Sequence, residues 1–322
     1  MGRQTPIRLL LAGCDPDVLL RVAPALVKAV QCRPGLIELT AVYDAIAGHA
    51  QTARQKFGFA RAESDIEQAF RTGAPGAVVC AIPAAQGSRD IPALLRRGVP
   101  TALVPPLGRS LEDALAIGEA ARESSAPHMV AMPRRFSPYL GRAVRWARQL
   151  GPIRQVHGRF RTPGQVDGPF VWNAALGAID AVGHILGRID GFELTAAEGP
   201  GSAAAVSLRF ADGAQGRLEL AGRADHTEES YELLGEGYHA VVVLGDLAGP
   251  SMQCWRGPKI EVRIQAPADQ PAVEYDGMQQ ALSAFMDALL SGQRPGPTLE
   301  EVLPAMDLAQ RITAGLTPVP AA

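Results

Sequence analysis

Apolar and polar positions alternate in two rhythms along this chain, and the change falls near residue 150. In the first part, short apolar runs are separated by stretches with helical spacing. Ile7–Ala12 is apolar except for Arg8 and is followed by Gly13, so it reads as a buried strand and its turn. Asp17–Val30 places Val18, Val22, Leu26 and Val30 at the period of a helix. Leu36–Tyr43 is a second strand, closed by Asp44, and Ile46–Phe57 predicts a helix. Ser64-x-x-Glu67 has the form of a capping box for a helix that reaches Phe70. Gly76–Ile82 and Thr101–Val104 predict further strands, and between them Ile91–Arg97 is a helix stopped by Gly98. Ser110 caps a helix through Leu111, Leu115 and Ala120, and Met129–Met132 is one more strand. Strands alternating with helices imply right-handed βαβ crossovers and a parallel, doubly wound α/β sheet. The predicted first domain covers 1–125.

The second rhythm has a period of two. Ile153–Arg161, Ala203–Phe210, Gln215–Leu220, Tyr231–Leu234, His239–Leu244 and Ile260–Ile264 alternate or read as short strands. Asp212-Gly213 is a hairpin signal between two of them. The expectation for 126–322 is an α+β domain on a mostly antiparallel sheet. Near the end, Met278–Leu290 is helical with Leu282, Phe285, Met286 and Leu289 on one face, and Thr298-x-x-Glu301 caps a last helix. The Pro-rich tail after Leu316 is expected to fray.

Composition narrows the function classes. The 322 residues suit two domains. A net charge of -2 gives no pull toward nucleic acid or membrane, and 5% aromatics leave no stacking surface for bases. Met1–Pro6 leads straight into a strand, and no apolar run is long enough to span a bilayer, so a cytoplasmic location is expected. Cys14, Cys32, Cys80 and Cys254 are far apart and read as small core residues in a reducing compartment. The six histidines show no H-x-x-x-H or H-E-x-x-H spacing, so no metal site is expected, and no G-x-S-x-G elbow is present.

Several segments in order resemble the Gfo/Idh/MocA dehydrogenases. They are the strand before Gly13, Asp44 at the end of the second strand, the stretch Gly98–Glu112, Met132-Pro-Arg-Arg-Phe-Ser-Pro138, Gly151-Pro-Ile153, Tyr231-Glu-Leu-Leu-Gly235 and the helix around Phe285. The resemblance runs over nearly the whole chain. It implies a Rossmann-type N-terminal domain that binds NAD or NADP and an α+β domain that holds a sugar, cyclitol or related small carbonyl compound. It also implies a homo-oligomer, dimer or tetramer, through the C-terminal sheet.

The chain departs from the family where its chemistry usually lies. Of the glycine turn G-x-G-x-x-G only Gly13 remains, because Asp15 and Val18 hold the next two positions. In Asp15-Pro16-Asp17 an N-cap acid precedes a helix-starting proline, so the helix is expected to cap itself with the Asp15 carboxylate. That cap competes for the N–H groups a pyrophosphate would use. Asp44 can accept from a ribose 2′-OH and so favours NAD, or it is a solvated acid at a strand end. Pro83 and Pro106 complete the cofactor-binding set that the resemblance implies. The family's Glu-Lys falls on Val104-Pro105, and no lysine occurs between Lys56 and Lys259. In Trp172-Asn-Ala-Ala-Leu-Gly-Ala-Ile-Asp180 the family histidine falls on Gly177 and its first acid on Asn173, while Asp180 is kept.

Asp180 and His184, one turn apart, could form an acid–base pair, or His184 packs near the helix end. Tyr139 could supply a phenol. Substrate-binding candidates are Arg135, His157, Arg159, Trp172 and Asn173; His157, Arg159 and Arg161 share one strand face, which could instead be solvated or face a subunit. Arg134, Arg135 and Phe136 could equally be structural. Two readings follow: a nicotinamide-dependent oxidoreductase acting on a small carbonyl, imine or sugar-like substrate with non-standard catalytic residues, or an inactive subunit that binds a ligand or pairs with a homologous active one.

Overall fold

β1 (Ile7–Ala12), β2 (Ile37–Tyr43), β3 (Arg61–Glu63), β4 (Ala77–Cys80), β5 (Thr101–Leu103) and β6 (His128–Val130) form one parallel sheet in the order β3-β2-β1-β4-β5-β6. Leu9–Leu11, Val78, Val79 and Leu103 are fully buried, as strands covered on both faces must be. This is the expected doubly wound domain, seen in a computed structural model that describes residues 5–196, 203–245 and 247–316. The tail after Leu316 lies outside the described residues.

Three local expectations are corrected. The helix predicted over Asp17–Val30 is broken at Arg21 into Pro16–Leu20 and Val22–Gln31. Pro24 has no N–H to give the Leu20 carbonyl, so it is tolerated only in the first turn of a new helix. The cap of the helix Ile66–Gly73 is Asp65 rather than Ser64, because its carboxylate accepts from Glu67 N and Gln68 N. The helix after β4 begins at Ala84, ahead of the expected Ile91.

The second sheet holds β7 (Gln155–Arg161), β8 (Ile189–Ala196), β9 (Ala203–Phe210), β10 (Gln215–Ala221), β11 (Glu228–Gly235), β12 (Tyr238–Gly245), β13 (Ser251–Arg256) and β14 (Lys259–Gln265), in the order β14-β13-β12-β11-β7-β10-β9-β8. Every pairing is antiparallel except β7 with β10. The helices Pro138–Leu150 and Leu176–Leu186 pack on it. β3, β8 and β13 are absent from the sequence reading; β3 and β8 are sheet edges, where backbone pairing on one side suffices and the side-chain pattern is weak, whereas β13 is paired on both sides.

The chain divides at Met132, beyond the expected residue 125, and Met278–Leu303 returns to the first unit. The returning helix Met278–Ser291 buries Leu282, Phe285 and Met286, and Arg33 ties it down: its guanidinium makes a two-pronged pair with Asp287 at 2.7 and 2.6 Å, and it donates to the Ser283 carbonyl. A separation of 254 residues hides that contact from any local pattern.

Three cysteines are buried and Cys32 is exposed, so Cys32 departs from the core expectation. Burial raises the Cys80 thiol to about 12 and the Cys254 thiol to about 11. Burial, reinforced by the Asp44 charge, raises Cys14 well above the thiol range. A disulfide reagent at mildly alkaline pH should therefore modify Cys32 alone in the folded chain and all four thiols in denaturant. Rapid reaction of the other three in the folded state would contradict this packing. The same thiols ionise first in the unfolded chain. Their contribution to stability is thus present below the ordinary thiol value and is lost as pH rises toward the raised ones.

Candidate functional site

The carboxyl ends of β1 and β4 flank the point where strand order reverses, the place where open α/β sheets form a ligand crevice. A cavity opens there. It is lined by Gly13 and Asp15 after β1, Asp44, Ile46 and His49 after β2, and Ile82, Pro83 and Gln86 after β4. Four of the five predicted cofactor residues, Gly13, Asp15, Asp44 and Pro83, therefore converge. Pro106 follows β5 in a cis Pro105-Pro106 peptide and does not line this cavity. Ile46, His49, Ile82 and Gln86 were not singled out from sequence; their nearness to Asp44 or Pro83 in the chain was the available signal.

Gly13 is required twice over. Its φ is +90°, and a Cβ would collide with the carbonyl of Ala81 and lie 2.8 Å from Ile82 N. The absent side chain lets the turn after β1 close against the one after β4. Asp44 is buried, with 6% of its surface exposed. One carboxylate oxygen accepts from Cys14 N at 2.8 Å and the other from Ile46 N at 2.9 Å. His49 Nδ1 lies 3.4 Å from the second oxygen. So Asp44 is not a free acid at a strand end: it ties the two turns together.

Asp15 behaves as predicted. It is the N-cap of Pro16–Leu20, and its carboxylate accepts from Val18 N at 3.0 Å. The cavity wall thus carries two acids and no lysine or arginine. Each carboxylate oxygen has two acceptor positions, so the wall retains capacity for ribose hydroxyls. It fits the nucleoside end of a dinucleotide. The diphosphate would meet the negative charge of Asp15 and Asp44, with Cys14 N and Val18 N already engaged.

In the second unit, the short helix Pro133–Phe136 carries two adjacent arginines in opposite duties. Arg134 forms a two-pronged pair with Glu229 on β11, at 2.5 and 2.6 Å, and donates to the Asp276 carbonyl at 2.9 Å. Tyr231 OH donates to the same Glu229 at 2.7 Å. Burial by itself would lower the Arg134 pKa, but the Glu229 carboxylate holds it raised. Burial and then the Glu229 charge push the Tyr231 phenol well up. Arg135 pairs with Asp180 at 2.8 and 2.6 Å, and the Asp180 side chain is 2% exposed.

The predicted catalytic residues do not gather. Both Asp180 oxygens accept from Arg135, which leaves the carboxylate charge-balanced instead of poised as a base. His184 is exposed and lines a cavity with Arg134, Arg135, Leu140 and Ala181. Tyr139 lines another, and its OH meets Gln270 Oε1 at 3.2 Å. Trp172 is buried and Asn173 exposed on a π-helical turn, Val171–Ala175, that enters Leu176–Leu186. Gly177 leaves room for a side chain, with Arg134 Cγ 3.8 Å from where its Cβ would lie. His157 and Arg159 stand on the open row of β7, where they face Glu232 at 4.0 Å and Glu219 at 3.3 Å on neighbouring strands. Cross-strand charge pairing accounts for Arg159. Among the described residues, no three of His, Cys, Asp and Glu cluster as a metal would need, and no helix is long and apolar enough to cross a membrane.

Comparison with known proteins adds to this geometry. Residues 20–132 match the model of the Gfo/Idh/MocA family, described as an oxidoreductase family with an NAD-binding Rossmann fold. The fold is that of a dehydrogenase from Chromobacterium violaceum, with TM-score 0.81, 17% identity and coverage of 97% of this chain and 96% of that one. An oxidoreductase from Agrobacterium radiobacter, solved with NAD+, L-tartaric acid and magnesium, superposes with TM-score 0.79 at 16% identity, covering 96% and 97% of the two chains. A 3-ketoreductase from Actinomadura kijaniata, solved with NADP and TDP-benzene, gives TM-score 0.74 at 21% identity, covering 96% and 98%. No curated protein sequence matches this chain.

Proposed function

We propose that this chain, whose residues 20–132 match the model of the Gfo/Idh/MocA oxidoreductases, is an NAD(P)-dependent oxidoreductase of a small carbonyl, imine or sugar-like compound, working with non-standard catalytic residues. The cavity at the strand-order reversal, where Gly13 and Asp44 meet, is the observation that carries this reading. A bound nicotinamide would supply or accept the hydride. Asp44 would accept from the adenosine ribose, and its charge favours NAD over a 2′-phosphorylated cofactor. Pro105 holds no proton where the family has lysine, so the proton on the substrate oxygen falls to another group or to water. With Asp180 committed to Arg135, His184 and Tyr139 are the side chains left for that role.

Calorimetry of the purified full chain with NADH tests the reading. Saturable binding by millimolar cofactor is expected, weakened about tenfold or more by Asp44→Ala, which removes the acceptor and loosens the Cys14 turn. An absence of binding at that concentration overturns it in favour of an assembly or ligand-binding subunit without redox turnover.

A further inference from the structure

We propose that Asp15 makes the Gly13 cavity selective for a nucleoside end, so that the phosphates of a bound nucleotide add no affinity. The inference rests on the reading above, that this cavity takes the adenosine end of a nicotinamide cofactor. Three independent observations carry it.

Three backbone donors of the turn are engaged internally. Gly13 N donates to the Tyr43 carbonyl at 2.8 Å, Cys14 N to Asp44, and Val18 N to the Asp15 carboxylate. Pro16 has no N–H. A phosphate reaching for Cys14 N or Val18 N would have to displace a carboxylate. The helix is also too short to offer much field. Pro16–Leu20 has five residues, because the chain breaks at Arg21 ahead of Pro24, and so few aligned peptides give a weak positive end. Finally, no cation offsets the acids: Asp15 and Asp44 line the cavity, and His49, beside Asp44, is the single basic side chain there. A ribose meets the reverse conditions. Its hydroxyls donate to carboxylates that still hold acceptor positions. Ile46, 58% exposed at the rim, supplies apolar surface for a base.

Adenosine and ADP titrated into the full chain test the inference. In the unaltered protein the two should bind within about threefold of each other, since a free anion site would give ADP at least a tenfold advantage. Asp15→Asn keeps an oxygen for Val18 N and removes the charge. It should shift the affinity ratio about tenfold toward ADP. A fold check by circular dichroism accompanies each titration, and Asp15→Gly provides a second variant lacking both charge and cap. ADP binding at least tenfold tighter than adenosine before mutation overturns the proposal, as does an unchanged ratio in both variants. If neither adenosine nor ADP binds any of the three proteins, the nicotinamide reading falls as well. That result is distinct from adenosine binding with the wrong ratio, which removes only the role of Asp15.

Discussion

Glu229→Gln is expected to destabilise the second unit by about 3–5 kcal/mol, the cost of leaving a buried charge without its partner. Glu229 is enclosed, with a side chain 5% exposed, and it collects three donors: Nε and Nη2 of Arg134 and the Tyr231 hydroxyl. The amide keeps nearly the same volume, so the loss reads out charge and donor–acceptor mismatch without a cavity. One of its two ends would turn an N–H₂ group toward Arg134 or Tyr231. Urea unfolding should show a lower midpoint, and Arg134→Met combined with Glu229→Met should recover part of the loss, since both charges leave together and only the Tyr231 hydroxyl and the Asp276 carbonyl lose a partner. A fall below about 1 kcal/mol would show that water reaches the pair and that the network is a surface one.

Gly13→Ala should be the most damaging small change in the first unit. An L-residue at φ +90° costs about 1–3 kcal/mol by itself. The added methyl would also overlap the Ala81 carbonyl, and backbone on both sides leaves no flexible side chain to yield. The turns after β1 and β4 must then separate, which opens the cavity wall and frees Cys14 N from Asp44. Loss of NADH binding together with a lower urea midpoint is expected. Unchanged stability would mean that the close approach at Gly13 is not needed. Gly35→Ala is a control for backbone strain alone, because Gly35 has φ +75° and nothing within 4 Å of a Cβ.

The architecture was legible because it depends on local periodicity. The apolar runs at Ile7–Ala12 and Gly76–Ile82 can only be buried by layers on both faces, and those layers are the helices between the strands. The Asp15-Pro16 cap was legible for the same reason: the donor it satisfies is three residues away. Where the chain had to break, Pro24 recorded it, although the helical spacing of Val18, Val22 and Leu26 concealed the interruption.

The candidate site was legible only in part. Gly13 and Asp44 were singled out for a ligand, yet sequence could not show that one Asp44 oxygen is held by Cys14 N, 30 residues earlier, while the other caps its own turn at Ile46 N. Asp180 and His184 looked like partners because they are one turn apart on a helix, but Arg135, 45 residues away, holds the carboxylate. Arg134 and Glu229 are 95 residues apart, and no pattern links them.

By itself the sequence determined two sheets of different kinds and a self-capped turn at Gly13, since each follows from residue type and near neighbours. Tertiary structure alone decided which acids are free and which are committed. Pairing between charges depends on distance through space, and that distance exists only once the chain has folded.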